Sequence, residues 1–369
     1  MITHFSERWA VGLDVHARSV SAAAIDTSTG ELHTRRLAPD PAGILAWIDA
    51  LDPAAGPGTV AAAYEAGPTG FGLARAFDDA GIRCVLAAPS KIARAPGEHV
   101  KTDDRDAVLL ARLLTRDDLA PVRVPTLIEE AARDLVRARE DTRHELMAAR
   151  HRTGKLLLRH GIVYTGGTTW NRVHHAWLGQ IRFDLPATTA AFDAALEAVQ
   201  FAEARRDRLD EKIALMAADS PFTDITHRLA CLRGISTLTA FALAVEIGDW
   251  TRFTGSSIGA FLGLTPSEHS SGSSRRQAGI TKAGNPHARR LLIEAAWHHK
   301  PLYRVGATLQ ARWDLAPAPV RARAHEGNQR LHYRWTVMSA QKKKHTVATT
   351  AIARELAGWC WSLATLDPT

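Results

Sequence analysis

The first forty residues confine the fold more tightly than any other stretch. Trp9 to His16, Val20 to Ile25 and Leu32 to Leu37 are short apolar or alternating runs, separated by His16-Ala-Arg-Ser and Asp26-Thr-Ser-Thr-Gly. Runs this short, joined by turn-forming residues, read as three strands of an antiparallel meander. Helix- and strand-like patterns then alternate: Pro41 to Leu51 as a helix, Thr59 to Tyr64 as a strand, Gly70 to Ala80 as a helix and Cys84 to Ala88 as a strand. A further helix begins near Asp103 or Asp104 and runs through Leu114. The order β-β-β-α-β-α-β-α predicts a mixed sheet with helices on its faces.

That order is also the order of the ribonuclease-H-like fold. From Leu127 to Leu158, apolar residues recur mostly at three- and four-residue steps amid Arg and Glu, and Phe192 to Met216 repeats the pattern. Two such helices pair either as an antiparallel hairpin or across a dimer, and Gly161 to Pro186 reads as the loop between them. Beyond, Leu232-Arg-Gly-Ile-Ser-Thr reads as a helix, a turn and a small-residue helix ending near Gly248, the outline of a helix-hairpin-helix. Gly255-Ser-Ser257-Ile-Gly259 formally matches a nucleophile elbow but lacks a strand before it, so it reads as a helix start. A polar loop is expected from Ser267 to Gly279. Asn285 and Pro286 suit the N-cap and first turn of a helix through Trp297. Past Pro317 the chain reads as irregular and basic until a last helix ending near Leu363. The expected class is α/β plus α: a mixed-sheet domain over 1–120, a long helical hairpin or coiled coil over 121–220, and a mainly helical domain over 221–369.

Composition narrows the chemistry. The 369 residues contain no uncharged apolar run long enough to span a bilayer, and the N-terminus lacks a secretory leader, so the expected compartment is the cytoplasm. Three distant cysteines, Cys84, Cys231 and Cys360, argue against a disulfide framework or zinc cluster and read as small buried hydrophobes. The adjacent pairs His174-His175 and His298-His299 lack zinc-type spacing and read as surface or base-stacking residues. The net charge is +7, and between Ser271 and His345 fifteen Lys or Arg face three acidic residues. That region suits phosphate, hence nucleic acid.

Four carboxylates stand apart from this basic background. Asp14 lies within the first strand, where period two places Gly12, Asp14 and His16 on one face. A carboxylate inside an apolar strand is costly unless paired or cation-bound. Glu65 ends the strand Val60-Ala-Ala-Ala-Tyr-Glu, before the turn Ala66-Gly-Pro-Thr-Gly70. Asp103 and Asp106 are three apart, which puts both on one face of a starting helix, while Asp104 points elsewhere. A strand Asp, a strand-end Glu and a helical Asp pair supply the hard oxygen ligands of a two-metal phosphoryl-transfer site.

Gly12-Leu-Asp14-Val, Tyr64-Glu65-Ala-Gly-Pro-Thr-Gly, Pro89-Ser-Lys91 and Lys101-Thr-Asp103-Asp-Arg-Asp106-Ala resemble the successive motifs of the DEDD transposases of the insertion-sequence-110 family. Leu232-Arg-Gly-Ile, Phe261-Leu-Gly-Leu-Thr-Pro, Ser271-Gly-Ser-Ser and Ile280-Thr-Lys-Ala-Gly-Asn285 resemble that family's C-terminal transposase domain, in order and spacing. The resemblance covers about residues 9 to 300. It implies a RuvC-like N-terminal domain with Mg²⁺ or Mn²⁺ on Asp14, Glu65, Asp103 and Asp106. It also implies a nucleophilic serine before the glycine, at Ser271; Ser270 precedes it, and the choice between the two stays open. Finally it implies guidance by a non-coding bridge RNA that pairs with donor and target DNA.

Lys101, Arg275, Arg276, Lys282, Arg289 and Arg290 are the expected nucleic-acid contacts. Because the carboxylates and the serine are far apart in sequence, a homodimer or homotetramer is the expected active unit. Two other readings remain: a RuvC-like nuclease that hydrolyses DNA without a covalent intermediate, and a non-catalytic nucleic-acid scaffold.

Overall fold

The computed structural model describes residues 5–53, 56–93, 102–268 and 277–367. The chain divides into two compact units, Met1–Thr126 and Leu127–Thr369.

The first unit is built on the strands β1 (Trp9–Val15), β2 (Val20–Asp26) and β3 (Leu32–Leu37), followed by the helix α1 (Pro41–Asp49), β4 (Val60–Glu65), α2 (Gly72–Asp79), β5 (Arg83–Ala87) and α3 (Asp103–Leu114). The sheet runs β3-β2-β1-β4-β5. β2 pairs antiparallel with both β1 and β3, whereas β1, β4 and β5 are parallel. This mixed five-stranded sheet agrees with the ribonuclease-H-like expectation, and each strand and helix lies within a few residues of its expected place.

The two faces of the sheet divide by period two. Trp9, Val11, Leu13, Val60, Ala62 and Tyr64 pack with Ile44, Trp47 and Phe77 from α1 and α2. On the other face Ala10, Ala61, Ala63 and Ala87 meet Leu110, Leu113 and Leu114 of α3. These alanines leave the sheet surface low, so α3 can lie close against it. Gly12 carries the closest approach: a Cβ there would stand 2.0 Å from the Ala107 carbonyl oxygen and 2.5 Å from the Ala111 nitrogen.

The second unit begins with α4 (Leu127–Arg159), α5 (Arg172–Leu178) and α6 (Pro186–Ala218). Of the two pairings open from sequence, the structure shows the hairpin within one chain. Arg139 pairs with Asp210 at 2.7 Å, Glu145 with Arg205 at 2.9 Å and Arg150 with Glu203 at 2.6 Å, a descending series that makes α4 and α6 antiparallel. Leu146, Ala149, Val199 and Ala202 fill the seam. The helix α6 starts at Pro186 rather than Phe192, because proline suits a first helical turn, and the expected loop contains α5.

The remaining elements are α7 (Thr223–Ala230), α8 (Thr237–Ile247), α9 (Ser257–Phe261), β6 (Pro266–Glu268), β7 (Gln277–Ile280), α10 (Pro286–Trp297), α11 (Ala307–Trp313), α12 (Ala318–Ala340) and α13 (His345–Ala364). Two expectations are corrected. The segment past Pro317 is not irregular: α12 is a 23-residue helix that buries Val320, Ala324, Gly327, Asn328, Leu331 and Trp335. Its stripe has helical period but uses small and polar residues, which a search for large apolar residues passes over. Asn328 is satisfied, since its Nδ2 donates to the Cys231 carbonyl and its Oδ1 accepts from Arg233 N–H. The polar loop from Ser267 to Gly279 is likewise partly strand, with Pro266 opposite Ile280 and Glu268 opposite Gln277. Cys231 and Cys360 are buried as expected, Cys84 is half-buried, and all three are free thiols. No helix among the described residues is long and apolar enough to cross a membrane.

Candidate functional site

The carboxylates are placed by strand register and by the close approach of α3. Parallel pairing sets Leu13 beside Tyr64, so Asp14 and Glu65 both follow at the C-terminal ends of adjacent strands. Asp14, His16, Glu65 and Asp106 line one cleft of about 720 Å³, together with Gly67, Pro68 and Thr69 of the following turn. Tyr64 fixes the turn after Glu65, because its hydroxyl accepts from Ala74 N–H and donates to the Gly70 carbonyl. The helix α3 is capped by Thr102, whose side chain accepts from Arg105 N–H, and Asp103 is its first residue.

His16 joins the group without having been assigned a role from sequence, although period two already put it on the face of Asp14. Its Nε2 lies 3.2 Å from Asp14 Oδ2 and 3.7 Å from Asp103 Oδ1. One ligand atom from each of Asp14, His16 and Asp103 falls within 4.8 Å of the others. Burial pushes the Asp14 carboxyl above the ordinary carboxylate value; His16 opposes the shift, and the charges of Asp103 and Asp106 add to it. Hard oxygen donors that repel one another in a half-buried cleft fit a divalent cation, which relieves both costs.

The expected nucleophile, Ser271, lies outside the described residues, as do Ser270, Arg275, Arg276 and Lys101. What is described is the frame on either side of 269–276. β6 and β7 pair, and Ser267 Oγ donates to the Gly279 carbonyl at 3.0 Å. The segments before β6 and after β7 interlock through two glycines of positive φ. A Cβ on Gly284 would meet the Phe261 carbonyl oxygen at 1.9 Å, and one on Gly263 would meet Ala283 N and O at 2.4 Å. The two motifs that flank the serine are therefore packed backbone to backbone.

Of the described cations, Lys282 is exposed in this frame. Arg289 donates to the Leu262 and Ala283 carbonyls. Arg290 pairs with Glu294 and Glu140. The Arg289 guanidinium thus braces the frame, whereas Arg290 ties α10 to α4 through Glu140 and pairs with Glu294 one turn along its own helix.

A buried acid network stands behind α10. Glu246, 1% exposed at its side chain, accepts from Arg137 and from Asn285 Nδ2, and meets His287 Nδ1 at 3.2 Å. Burial alone would raise its pKa, but hydrogen bonds from His287, Arg137 and Asn285 outweigh it and hold the carboxyl down to about 2. Asn285 also caps α10 by accepting from Ala288 N–H. Replacing Glu246 with Ala strands the partly buried donors of Asn285 and His287, while the exposed Arg137 returns to water, and a loss of about 1–3 kcal/mol in unfolding free energy is expected from urea melts. The folded value lies below the ordinary 4.5, so the stabilisation is full above that pH and disappears as pH falls toward about 2. Acid titration of the wild type should show this segment, and Glu246→Gln should lack it.

The histidine pairs divide. His175 is half-buried and His298 exposed, but His174 and His299 are buried at 4% and 0% exposure, which corrects the surface reading. His174 is drawn into the interior by an aromatic cluster. The sequence Gly255 to Gly259 leads into α9, as read, with no strand before it among the described residues.

Two carboxylates at adjacent strand ends of a mixed sheet, with two more in the first turn of α3, fit the class of enzymes that use divalent ions for phosphoryl transfer. Comparison with known proteins narrows the class. A family model for DEDD transposases of the IS110 type, described as Transposase, matches residues 11–162, and the model described as Transposase IS116/IS110/IS902 family matches residues 226–311. The chain is 39% identical to the y4qE transposase relative of Sinorhizobium fredii, over 82% of this chain and 74% of that one. It is 30% identical to the transposase for insertion sequence element IS1533 of Leptospira borgpetersenii, over 90% of this chain and 97% of that one. The chain belongs to the insertion-sequence-110 family of DEDD transposases. It is a DNA-processing enzyme, and its DEDD-type domain with an acidic cluster points to use of a divalent metal.

Proposed function

We propose that this transposase cuts and rejoins DNA through a phosphoserine intermediate, with Mg²⁺ or Mn²⁺ held by Asp14, Glu65, Asp103 and Asp106 of a RuvC-like domain. The observation that carries the reading is the shared cleft of Asp14, Glu65 and Asp106, with Asp103 joined to Asp14 through His16. Divalent ions supply positive charge at the phosphate oxygens as negative charge builds there.

The chain's own residues do the rest. Ser271 Oγ bonds to phosphorus, one bridging P–O bond to the sugar breaks, and the released sugar oxygen takes up the serine proton. The DNA end stays linked to the protein as a phosphodiester, so a second sugar hydroxyl can reverse the step and join a different strand. Lys101, Arg275, Arg276 and Lys282 hold the scissile phosphate, while Arg289 holds the frame around them and Arg290 ties α10 to α4. We assign these roles to three functional regions: carboxylates over 1–120, the helical hairpin over 121–220, and the serine with its basic surface over 221–369. The chemistry needs hydroxyl and carboxylates at one phosphorus, which we propose is met in a homodimer or homotetramer. A bridge RNA supplies target choice by base pairing, as in other RNA-guided systems.

The test is incubation of the full chain with element DNA, candidate RNA and Mg²⁺, followed by denaturing electrophoresis. A protein-linked DNA strand is expected in the wild type and absent from Ser271→Ala and Asp103→Ala. Cleavage that survives Ser271→Ala without an adduct would favour simple hydrolysis.

A further inference from the structure

The end of the long hairpin where α4 gives way to α5 carries a cavity with no role in the chemistry above. It has a volume of about 510 Å³, within the range of about 300–1,000 Å³ usual for ligand sites. Its walls are aromatic: Tyr164, Trp170, His174 and Trp177 all line it. The His174 and Trp177 rings stack at 5.4 Å and 27°, and Tyr164 meets His174 edge-on at 4.6 Å. Trp170 is held at φ 63°, a region costly for a bulky residue, and its N–H donates to His174 Nδ1. Arg150, fixed by Glu203, lies 5.1 Å over the Trp170 ring.

Charge identifies the occupant. Among the described residues no carboxylate lines the cavity. From residue 146 to residue 183 the chain has six Lys or Arg and no Asp or Glu. Arg152, Lys155 and Arg159 are exposed and line an adjoining cleft that shares Lys155 and Leu158 with the cavity. A second copy docking through the same face would bring Arg152, Lys155 and Arg159 against themselves. A single-stranded nucleic acid brings flat bases for the aromatic walls and phosphates for the cations, the combination that single-strand sites use.

The helix itself makes room. Gly154 sits inside α4, where glycine costs about 1 kcal/mol relative to alanine, and a Cβ built on it meets nothing within 4 Å. Its absent side chain keeps the mouth of the cavity open.

We propose that this cavity takes an unpaired nucleobase of a single strand, RNA or DNA, with the phosphates running along Lys155, Arg152 and Arg159. This site depends on neither Ser271 nor the four carboxylates, so its failure and theirs are separable.

Fluorescence anisotropy of the full chain with labelled oligo(U), oligo(dT) and a blunt duplex tests it at fixed salt. Gly154→Leu blocks the mouth without removing an existing contact, and Trp177→Phe retains an aromatic wall. Single-strand binding about tenfold weaker in Gly154→Leu is expected, with a smaller loss in Trp177→Phe and no change for the duplex. Photocrosslinking with 5-iodouridine or 5-iododeoxyuridine strands should map to Tyr164, Trp170 or Trp177. Loss confined to one strand type identifies the source as RNA or DNA. Wild-type single-strand affinity in Gly154→Leu, with crosslinks outside 150–178, would overturn the proposal. So would a Gly154→Leu protein whose sedimentation changes while its strand binding does not, since the cavity would then serve contact between copies.

Discussion

Gly12→Ala should cost the first unit about 3 kcal/mol of stability and the enzyme about a hundredfold in strand transfer. The added Cβ would stand 2.0 Å from one backbone atom of α3 and 2.5 Å from another, and backbone cannot rotate aside as a side chain can. Relief requires α3 to move off the sheet, an overpacking cost at the upper end of the usual 1–3 kcal/mol. Asp103 and Asp106 travel with that helix, and a displacement of about 1 Å in a positioned group is enough for a loss of ~10²-fold. Gly58→Ala is the control, because a Cβ there meets nothing within 4 Å; its melting and activity should match the wild type. Both measurements, thermal melting and strand transfer, are needed. A Gly12→Ala protein with normal stability and activity would show that the helix does not set the position of its acids.

Asp14→Asn should separate activity from stability. The substitution keeps the shape of the side chain but removes the charge at the centre of the cluster, and a loss on the order of 10²–10³-fold in strand transfer is expected. Without divalent ions its thermal midpoint should stay level or rise. Burial disfavours the Asp14 carboxylate, and Asp103 and Asp106 act in the same direction against the hydrogen bond from His16. A residue retained for folding would show the reverse: a lower midpoint with activity scaled to the folded fraction.

Legibility in the sequence followed the range over which each signal acts. β1 to β3 were readable because period two and tight turns act within a few residues, and Asp14, Glu65, Asp103 and Asp106 were readable as acids at strand and helix ends. The helix α12 was missed because its buried stripe passes through Ala324, Gly327 and Asn328, which earn their place only against partners such as Trp359 and Cys231. Arg289 and Arg290 look like phosphate ligands in sequence, yet in the fold Arg289 bonds to the Leu262 and Ala283 carbonyls and Arg290 to Glu140 of α4, in addition to the local pair with Glu294. The burial of His174 is of another kind, since Trp170 and Trp177 stand four residues before and three after it and only the fold of the 164–171 segment brings Tyr164 onto the ring. Pairings set by tertiary packing leave little trace in local pattern.

The most direct measurement is calorimetric titration of Mg²⁺ and Mn²⁺ into the full chain, alongside Asp14→Asn and Asp103→Asn, with thermal melts at matching concentrations. Saturable binding by the wild type is expected, with a midpoint that rises as the ion stabilises the fold by about 2.7 kcal/mol at a hundred times its Kd, and with both effects lost in the two variants. Equal binding and equal midpoint shifts in wild type and variants would contradict a divalent site built from these carboxylates.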